Sequence, residues 1–498
     1  MANLTSSLGI GLSGLQVAQQ SMSVIGHNIA NINTPGYSQQ SAVMSTSPSQ
    51  EFGNLQFGTG VTVNSVQALR DQFLNLQLTQ SLCAQSGAQT RSNGLQAVSS
   101  AFTDDGTTGL NTQIKQFFTS LQALSANPTD ASLRQNVVGM AQSMLTELKS
   151  ASTTISSQVT AVNQQIGSTV PQINTLTTQI AKLNTEISQR IDPTTANDAI
   201  DQRQQLTDQL AKLVGIQVST DSKNQYQITL DSGAATLVSG QAAYMMTAAP
   251  DPAQGNNLTV SVQSGSTSTN VTDRITGGTL GANMDLRDNI LPGFQTQLDR
   301  IAGSLAGQVN QVNMAGFGLP NPVTGTSSTG VMLFTGGMDP ATGLVNVDPV
   351  SGLPIYKGII NNLQVNAAVV ADPGLIAASS TAGVAGDNGN ALKLANLQTK
   401  LGAVDTAGNG TFSSGPFNTI VSALISSVGT KTQELNTTAV NQENLTTALQ
   451  TQKNSVSGVD LDQSAAQLLA FQQGYQAAAR FISTISQLTN QLMQALSA

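Results

Sequence analysis

Near the start of the chain Leu8, Leu15, Met22 and Ile29 recur every seven residues, and Leu4, Ala18, Ile25 and Ile32 fill the second position of the same heptad, with only Gly11 missing from it. One narrow apolar stripe at that spacing predicts a helix whose seam faces a partner helix. The run stops at Asn33-Thr34-Pro35-Gly36-Tyr37, where proline cannot continue a helix and Pro-Gly favours a turn. The last segment mirrors the first. Leu468, Phe471, Tyr475, Ala478, Ile482, Ile485, Thr489, Leu492 and Leu496 follow steps of three and four, which predicts a helix from Leu461 to Leu496 of about 54 Å. Neither stripe has anything local to bury it, so the two terminal helices are expected to pair as a coiled coil.

A third seam runs through the interior, with Val159, Ile166, Ile173, Ile180 and Ile187 at one heptad position and Ile155, Val162, Leu176 and Leu183 at the other. Pro171 lies inside it and predicts two helices or one bent one. Further helices are expected at Leu110 to Leu124, Ser132 to Ser150, Ala199 to Leu213, Gly281 to Asn313 and Asn418 to Ser455. Two stretches follow a different grammar. From Val214 to Ile275, alternating runs such as Tyr226 to Leu230 and Leu258 to Val262 are separated by Gly, Asp, Asn and Ser, the pattern of strands and turns. Gly316 to Gly389 is rich in Gly and Pro, with candidate strands at Val331 to Phe334 and Leu363 to Asn366. The expected fold is mainly α with inserted β modules, an elongated helical-bundle shaft closed by the terminal coiled coil. Its divisions are 1–65 with 456–498 as a terminal assembly domain, and 66–215 with 276–316 and 390–455 as the helical bundle. A β-rich module at 216–275 and a Gly/Pro-rich β module at 317–389 complete the set.

Composition narrows the function. Only 9% of residues are charged while 39% are hydrophobic, so the chain can build cores and rests its solubility on uncharged polar side chains. Net charge is -8 and the 19 basic residues are scattered, which leaves no electrostatic footprint for nucleic acid or for a membrane surface. One cysteine, Cys83, and one histidine, His27, exclude a disulfide framework and a His/Cys metal cage within the chain. No cofactor is expected. The N-terminal stretch lacks a positively charged n-region and the first Lys or Arg is Arg70, so a cleavable Sec signal is not expected.

Motifs that could carry chemistry are thin. Gly9 to Gly14 formally matches GxGxxG, but no strand precedes it and no βαβ unit follows; small residues admitting another helix explain it better. His27 has no second histidine or carboxylate within its own helix, which points to a packed polar contact. Asp198, Asp201 and Arg203 share one helical stretch and read as local ion pairs or caps. No carboxylate pair suggests an enzyme.

The segment His27-Asn28-Ile29-Ala30-Asn31-Ile32-Asn33-Thr34-Pro35-Gly36-Tyr37-Ser38 resembles the N-terminal signature of flagellar rod, hook and hook-associated axial proteins. Ser455 to Asp462, followed by Gln472-Gln473-Gly474-Tyr475-Gln476-Ala477-Ala478-Ala479-Arg480, resembles the C-terminus of the hook-associated protein 1 family. So does Asp201-Gln202-Arg203 with Leu213-Val214-Gly215-Ile216 beyond it. Gln39 departs from the pattern, since many members carry arginine there. The resemblance implies a secreted, non-enzymatic component of the bacterial flagellum at the hook–filament junction, exported by the flagellar type III apparatus. It implies a ring of copies of the chain that contacts hook protein and a second junction protein, and an export chaperone on the C-terminal helix. The assembly interface would comprise Leu8, Leu15, Met22, Ile25, Ile29, Asn31, Asn33, Thr34, Pro35, Gly36 and Tyr37 at the N-terminus. At the C-terminus it would comprise Leu461, Leu468, Phe471, Tyr475, Ile482, Ile485, Leu492 and Leu496, which would also meet the chaperone. Hook protein or flagellin is the alternative within the same class. An extracellular adhesin or phage tail protein is the competing class, disfavoured by the paired heptads at both ends.

Overall fold

The computed structural model describes residues 2–52, 55–104, 106–399 and 415–497. Residues 400–414, placed in the helical bundle by sequence, lie outside the described residues. The helices are α1 (Ala2–Ala30), α2 (Gln72–Ser99), α3 (Leu110–Ala126), α4 (Ala131–Ser188), α5 (Asn197–Leu213), α6 (Gly278–Asp285) and α7 (Leu291–Ala315). Then come the short α8 (Ile359–Asn362), α9 (Ala367–Ala371) and α10 (Gly389–Asn396), and the long α11 (Phe417–Ser457) and α12 (Leu461–Ser497). The strands form small antiparallel sheets. β1 (Gln40–Thr46) pairs with β4 (Val61–Ala68), and β2 (Gln50–Phe52) with β3 (Leu55–Phe57). β5 (Ile216–Thr220), β6 (Tyr226–Leu230), β7 (Thr236–Ser239) and β8 (Ala242–Ala243) form a four-stranded meander. β9 (Met246–Asp251), β10 (Asn257–Ser264) and β11 (Thr267–Asn270) form a three-stranded one, and β12 (Phe334–Thr335) pairs with β13 (Gln364–Val365). The fold is therefore mainly α with small β modules, and the terminal helices α1 and α12 pack on each other.

Pro171 does not break its helix. The expected Ser132–Ser150 helix and the Ile155–Ile187 seam are one helix of 58 residues that runs through the proline. Interior proline costs about 3 kcal/mol, but Ile166, Val170, Ile173 and Ile180 beside it are buried, and each buried isoleucine contributes about 1.5–3 kcal/mol. Packing wins over propensity. The expected helix Gly281 to Asn313 is interrupted by one π turn, Leu286–Ile290, just before Pro292, which has no N–H and crowds the carbonyl four residues back. The candidate strands Val331 to Phe334 and Leu363 to Asn366 shrink to the two-residue pair β12–β13. Features not foreseen include α2, the short helices α8 and α9 inside the segment read as a β module, and the hairpins β1–β4 and β2–β3 that follow α1.

The chain divides into two compact units. The first comprises Met1–Gly87, Gly167–Gly281 and Val440–Ala498. Its core gathers Leu78, Ile173, Ile180, Leu210, Ile228, Leu230, Val238 and Val260. The second comprises Ala88–Ile166 and Ala282–Ala439. Its core centres on Phe117 and Phe118, with Phe334 5.9 Å from the former and Phe417 stacked 6.3 Å from the latter. The irregular chain after α7 is fastened to that helix by Asn310. Its Oδ1 accepts from the N–H groups of Leu333 (2.9 Å) and Phe334 (2.8 Å), and its amide donates to the carbonyls of Phe334 (2.8 Å) and Gly343 (3.1 Å).

Asn310 is fully buried, so Asn310→Ala strands backbone donors and acceptors away from water. We expect it to destabilise the second unit by about 3 kcal/mol, read as a lower midpoint in urea denaturation at unchanged m value.

Candidate assembly interface

α1 and α12 pair antiparallel. A Cβ on Gly11 would lie 2.8 Å from Ile482 Cγ1 and 3.0 Å from the Phe481 ring, and one on Gly14 would lie 3.9 Å from Ala478 Cβ. Small residues thus let α12 approach closely. The most buried positions of α1 are Gly11, Val17, Ala18, Ser21, Ile25 and Asn28, so Gly11 belongs to the seam from which the heptad pattern left it out. Leu15, Met22 and Ile29 are half-buried and Leu8 is exposed. On α12, Leu468, Phe471, Tyr475, Ala478, Ile482, Ile485 and Thr489 are half-buried, while Leu461 and Leu492 are exposed. Leu496 lies in α12, with its side chain outside the described residues. The pair leaves apolar side chains uncovered: Leu8, Ile10 and Leu12 on α1, and Leu469, Phe481, Leu488, Leu492 and Met493 on α12.

The segment after α1 closes on itself. The N–H of Tyr37 donates to Thr34 O (3.2 Å) across Pro35-Gly36, and Gly36 has φ +77°, the geometry for which Pro-Gly is suited. Asn31 and Thr34 brace the turn, the Asn31 amide on His27 O (3.0 Å) and the Thr34 hydroxyl on Asn31 Oδ1 (3.2 Å). Asn33, Thr34, Pro35 and Gly36 are exposed and Asn31 is half-buried. The Tyr37 hydroxyl donates to Asn28 Oδ1 (2.8 Å) and lies 3.1 Å from His27 Nδ1, the two rings meeting edge to face. Asn28 in turn pairs with both backbone groups of Gln40, accepting from its N–H (2.9 Å) and donating to its carbonyl (2.7 Å). Burial, with Asp198 and Asp201 adding to it, pushes the Tyr37 phenol up to about 12.

The turn is seated on α5. Asp201 accepts from the Ser38 N–H (2.8 Å), the Ser38 hydroxyl (2.9 Å) and Arg70 Nε (2.7 Å). Arg70 also donates to the carbonyl (2.8 Å) and side-chain oxygen (3.2 Å) of Asn197, whose amide donates to Val66 O (2.8 Å). Gln40 Nε2 donates to Asp198 (2.8 Å), and Gln205 Nε2 donates to Pro35 O. The reading of Asp198, Asp201 and Arg203 as local pairs or caps is corrected, because their partners stand far away in sequence. Arg203, fully buried, donates to Asn184 Oδ1 (2.9 Å) and to Asn224 O, and its guanidinium lies 3.6 Å over the Tyr226 ring. Below this region lies a cleft of about 780 Å³ bordered by Arg70, Phe73, Asp201, Arg203, Tyr226 and Lys453. Among the described residues no three His, Cys, Asp or Glu side chains are grouped as metal ligands would be.

Three families match parts of this chain. The flagellar hook-associated protein FlgK helical domain matches residues 95–330, the flagella basal body rod protein family residues 8–37, and the flagellar basal body rod FlgEFG protein C-terminal family residues 450–495. Flagellar hook-associated protein 1 of Escherichia coli (strain K12) is 27% identical over 553 residues, spanning 98% of this chain and 100% of that protein. The protein of the same name from Bacillus subtilis (strain 168) is 25% identical over 515 residues, spanning 97% and 96%. Among solved structures, that of the flagellar hook junction protein FlgK from Burkholderia pseudomallei superposes with a TM-score of 0.64 at 20% identity, covering 76% of this chain and 100% of that one.

The raised Tyr37 phenol gives a pH signature. The folded state holds that proton more tightly than an unfolded tyrosine does, so the stability it confers is present below about pH 10 and is lost as pH rises toward 12. Thermal melts of the chain and of Tyr37→Phe should differ at pH 8 by about 1 kcal/mol, and the gap should close by about pH 11.

Proposed function

The chain belongs to the hook-associated protein 1 family of the bacterial flagellum, and we propose on that premise that it is a structural element of the hook–filament junction, where copies of it form a ring. The observation that carries this reading is the terminal pair. The two segments that match flagellar rod families lie at opposite ends of the chain, at 8–37 and 450–495, and α1 and α12 within them pack side by side with an apolar stripe uncovered. Such a stripe on a surface otherwise made of Ser, Gln, Asn and Ala calls for cover by further helices. Identical neighbours in a closed ring supply it by a heterologous contact.

In this reading residues 1–65 and 456–498 assemble, through Leu8 to Tyr37 and Leu461 to Leu496, and the helical segments 66–215, 276–316 and 390–455 carry the β modules 216–275 and 317–389. Hook protein lies on one side of the ring and a second junction protein on the other. The protein acts outside the cell, exported by the flagellar type III apparatus with a chaperone on its C-terminal helix. Its work is mechanical and requires no catalysis, metal, nucleic acid or membrane. Few charges, one thiol and end helices with much of their apolar surface open suit a chain that unfolds for export and gains stability on assembly.

Two experiments check the reading. A strain lacking the gene should make hooks without filaments, and normal filaments in electron micrographs would overturn it. In that strain, Leu488→Asp and Met493→Asp alter side chains already exposed in the single chain. Their stability should change by less than about 0.5 kcal/mol and secretion into the medium should persist, while incorporation into the junction is lost.

A further inference from the structure

We propose that Asp201 is a positioning residue for assembly: its carboxylate latches the turn that follows α1 and so sets the direction in which the paired terminal helices leave that joint. The inference rests on the junction reading above and names the internal residue on which it depends.

α1 packs on both α12 and the β1–β4 hairpin, and the hairpin is tied to α1 by Asn28 on Gln40 and by the Val61 N–H on Ser13 Oγ (3.3 Å). That block is held to α5 by hydrogen bonds that Asn197 and Gln205 donate and Asp201 accepts. These residues are four apart and therefore share one face of the helix. Asp201 is the central one and the one that joins the block by an ion pair, its carboxylate taking three donors at once. Ser38 is 163 residues away in sequence and Arg70 131, so the bond connects separate parts of the chain and is no by-product of helix geometry.

The latch reaches the C-terminal helix as well. The residue after Ser38 donates its N–H, that of Gln39, to the carbonyl of Ser457 (2.8 Å), the last residue of α11. Gly458, Val459 and Asp460 then separate α11 from α12, and a Cβ on Gly458 would collide with Asn454 O. Holding Ser38 therefore holds the points at which both terminal helices begin their shared course. Ser38 is 4% and Asp201 6% exposed, so water cannot replace a lost donor or acceptor. Asparagine at 201 would turn an amide N–H toward the Ser38 donors or toward Arg70, leaving at least one donor facing a donor.

The test uses the full chain with Cys83→Ala and spin labels at two exposed positions, Gln19→Cys on α1 and Gln217→Cys on β5. Pulsed dipolar spectroscopy should give one narrow distance for this protein. Asp201→Asn should broaden or split the distribution at temperatures below its melting midpoint, since losing a charge-assisted bond shifts the latched equilibrium about tenfold or more. In a strain lacking the gene, filament-bearing cells should fall by a similar factor while secretion is unchanged. If Asp201→Asn fails to fold, Ser38→Ala removes one of the three donors, leaves the Arg70 pair, and should broaden the same distribution. A narrow distribution in both variants overturns the latch. A broad distribution with full filament assembly overturns its role in positioning. If the unaltered chain itself fails to restore filaments, the junction reading falls and the distance measurement still decides the latch.

Discussion

Four helix asparagines each form a two-way pair with the N–H and C=O of a single residue elsewhere: Asn28 with Gln40, Asn174 with Met246, Asn184 with Tyr226, and Asn310 with Phe334. Each reproduces, with a side-chain amide, the exchange that two strands make across a sheet. The architecture depends on this interaction. A helix has no free backbone groups along its length, and a strand or loop laid against it must satisfy its own groups or lose about 1–3 kcal/mol for each one buried. With 9% charged residues the chain has few ions for the task, and the amide does it without the desolvation cost of burying a charge. The strand modules and the loop after α7 are thereby fixed to α1, α4 and α7.

Several of the ions used inside join segments distant in sequence, while the buried Arg287 pairs with its neighbour Asp288. Arg70 meets Asp201, Arg91 meets Asp285 at 2.7 Å, and Arg134, 2% exposed, donates to the carbonyls of Pro128 (2.8 Å) and Ile376 (2.7 Å). Arginine suits these places because its planar fork reaches several acceptors from one stem. Burial draws the Arg134 guanidinium down to about 10, with Asp372 opposing the shift, so it remains charged at neutral pH. The terminal pair has no such internal charge and rests on one seam. Much of its apolar surface is open, so neighbouring helices can change its stability.

Periodicity made the interior seam legible because it is also a buried seam: Ile155, Ile166, Ile173, Ile180 and Ile187 are all buried. It failed where burial is achieved by small or polar residues. α2 contains Gly87, Gly94 and runs of Gln and Ser, and its Gly94 faces Leu286 so closely that no Cβ fits; nothing in a hydrophobic count marks such a contact. Gly11 is the same case in α1. The β1–β4 hairpin did have a signal, the alternation Val61-Thr62-Val63-Asn64, but only one of its faces meets α1 and its residues are mostly half-exposed. The signature residues were visible as a motif. Their receiver on α5 was not, because spacing along a chain shows that Asn197, Asp201 and Gln205 share a face and cannot show that Ser38 arrives there.

The scarcity of charge on the terminal helices fits the proposed assembly. From Met1 to Gln50 there is no Asp, Glu, Lys or Arg, and α12 carries only Asp462 and Arg480. In the proposed ring, a charged side chain at the contact between copies would be stripped of water and would need a partner on the facing patch to offset that cost. Uncharged polar side chains avoid it and still keep the single chain in solution. Ser and Ala are also short, so they allow helices to approach as Gly11 allows α12 to approach α1. The composition that makes the isolated pair weakly held is thus the one that would let many copies, in the proposed ring, pack their helices together.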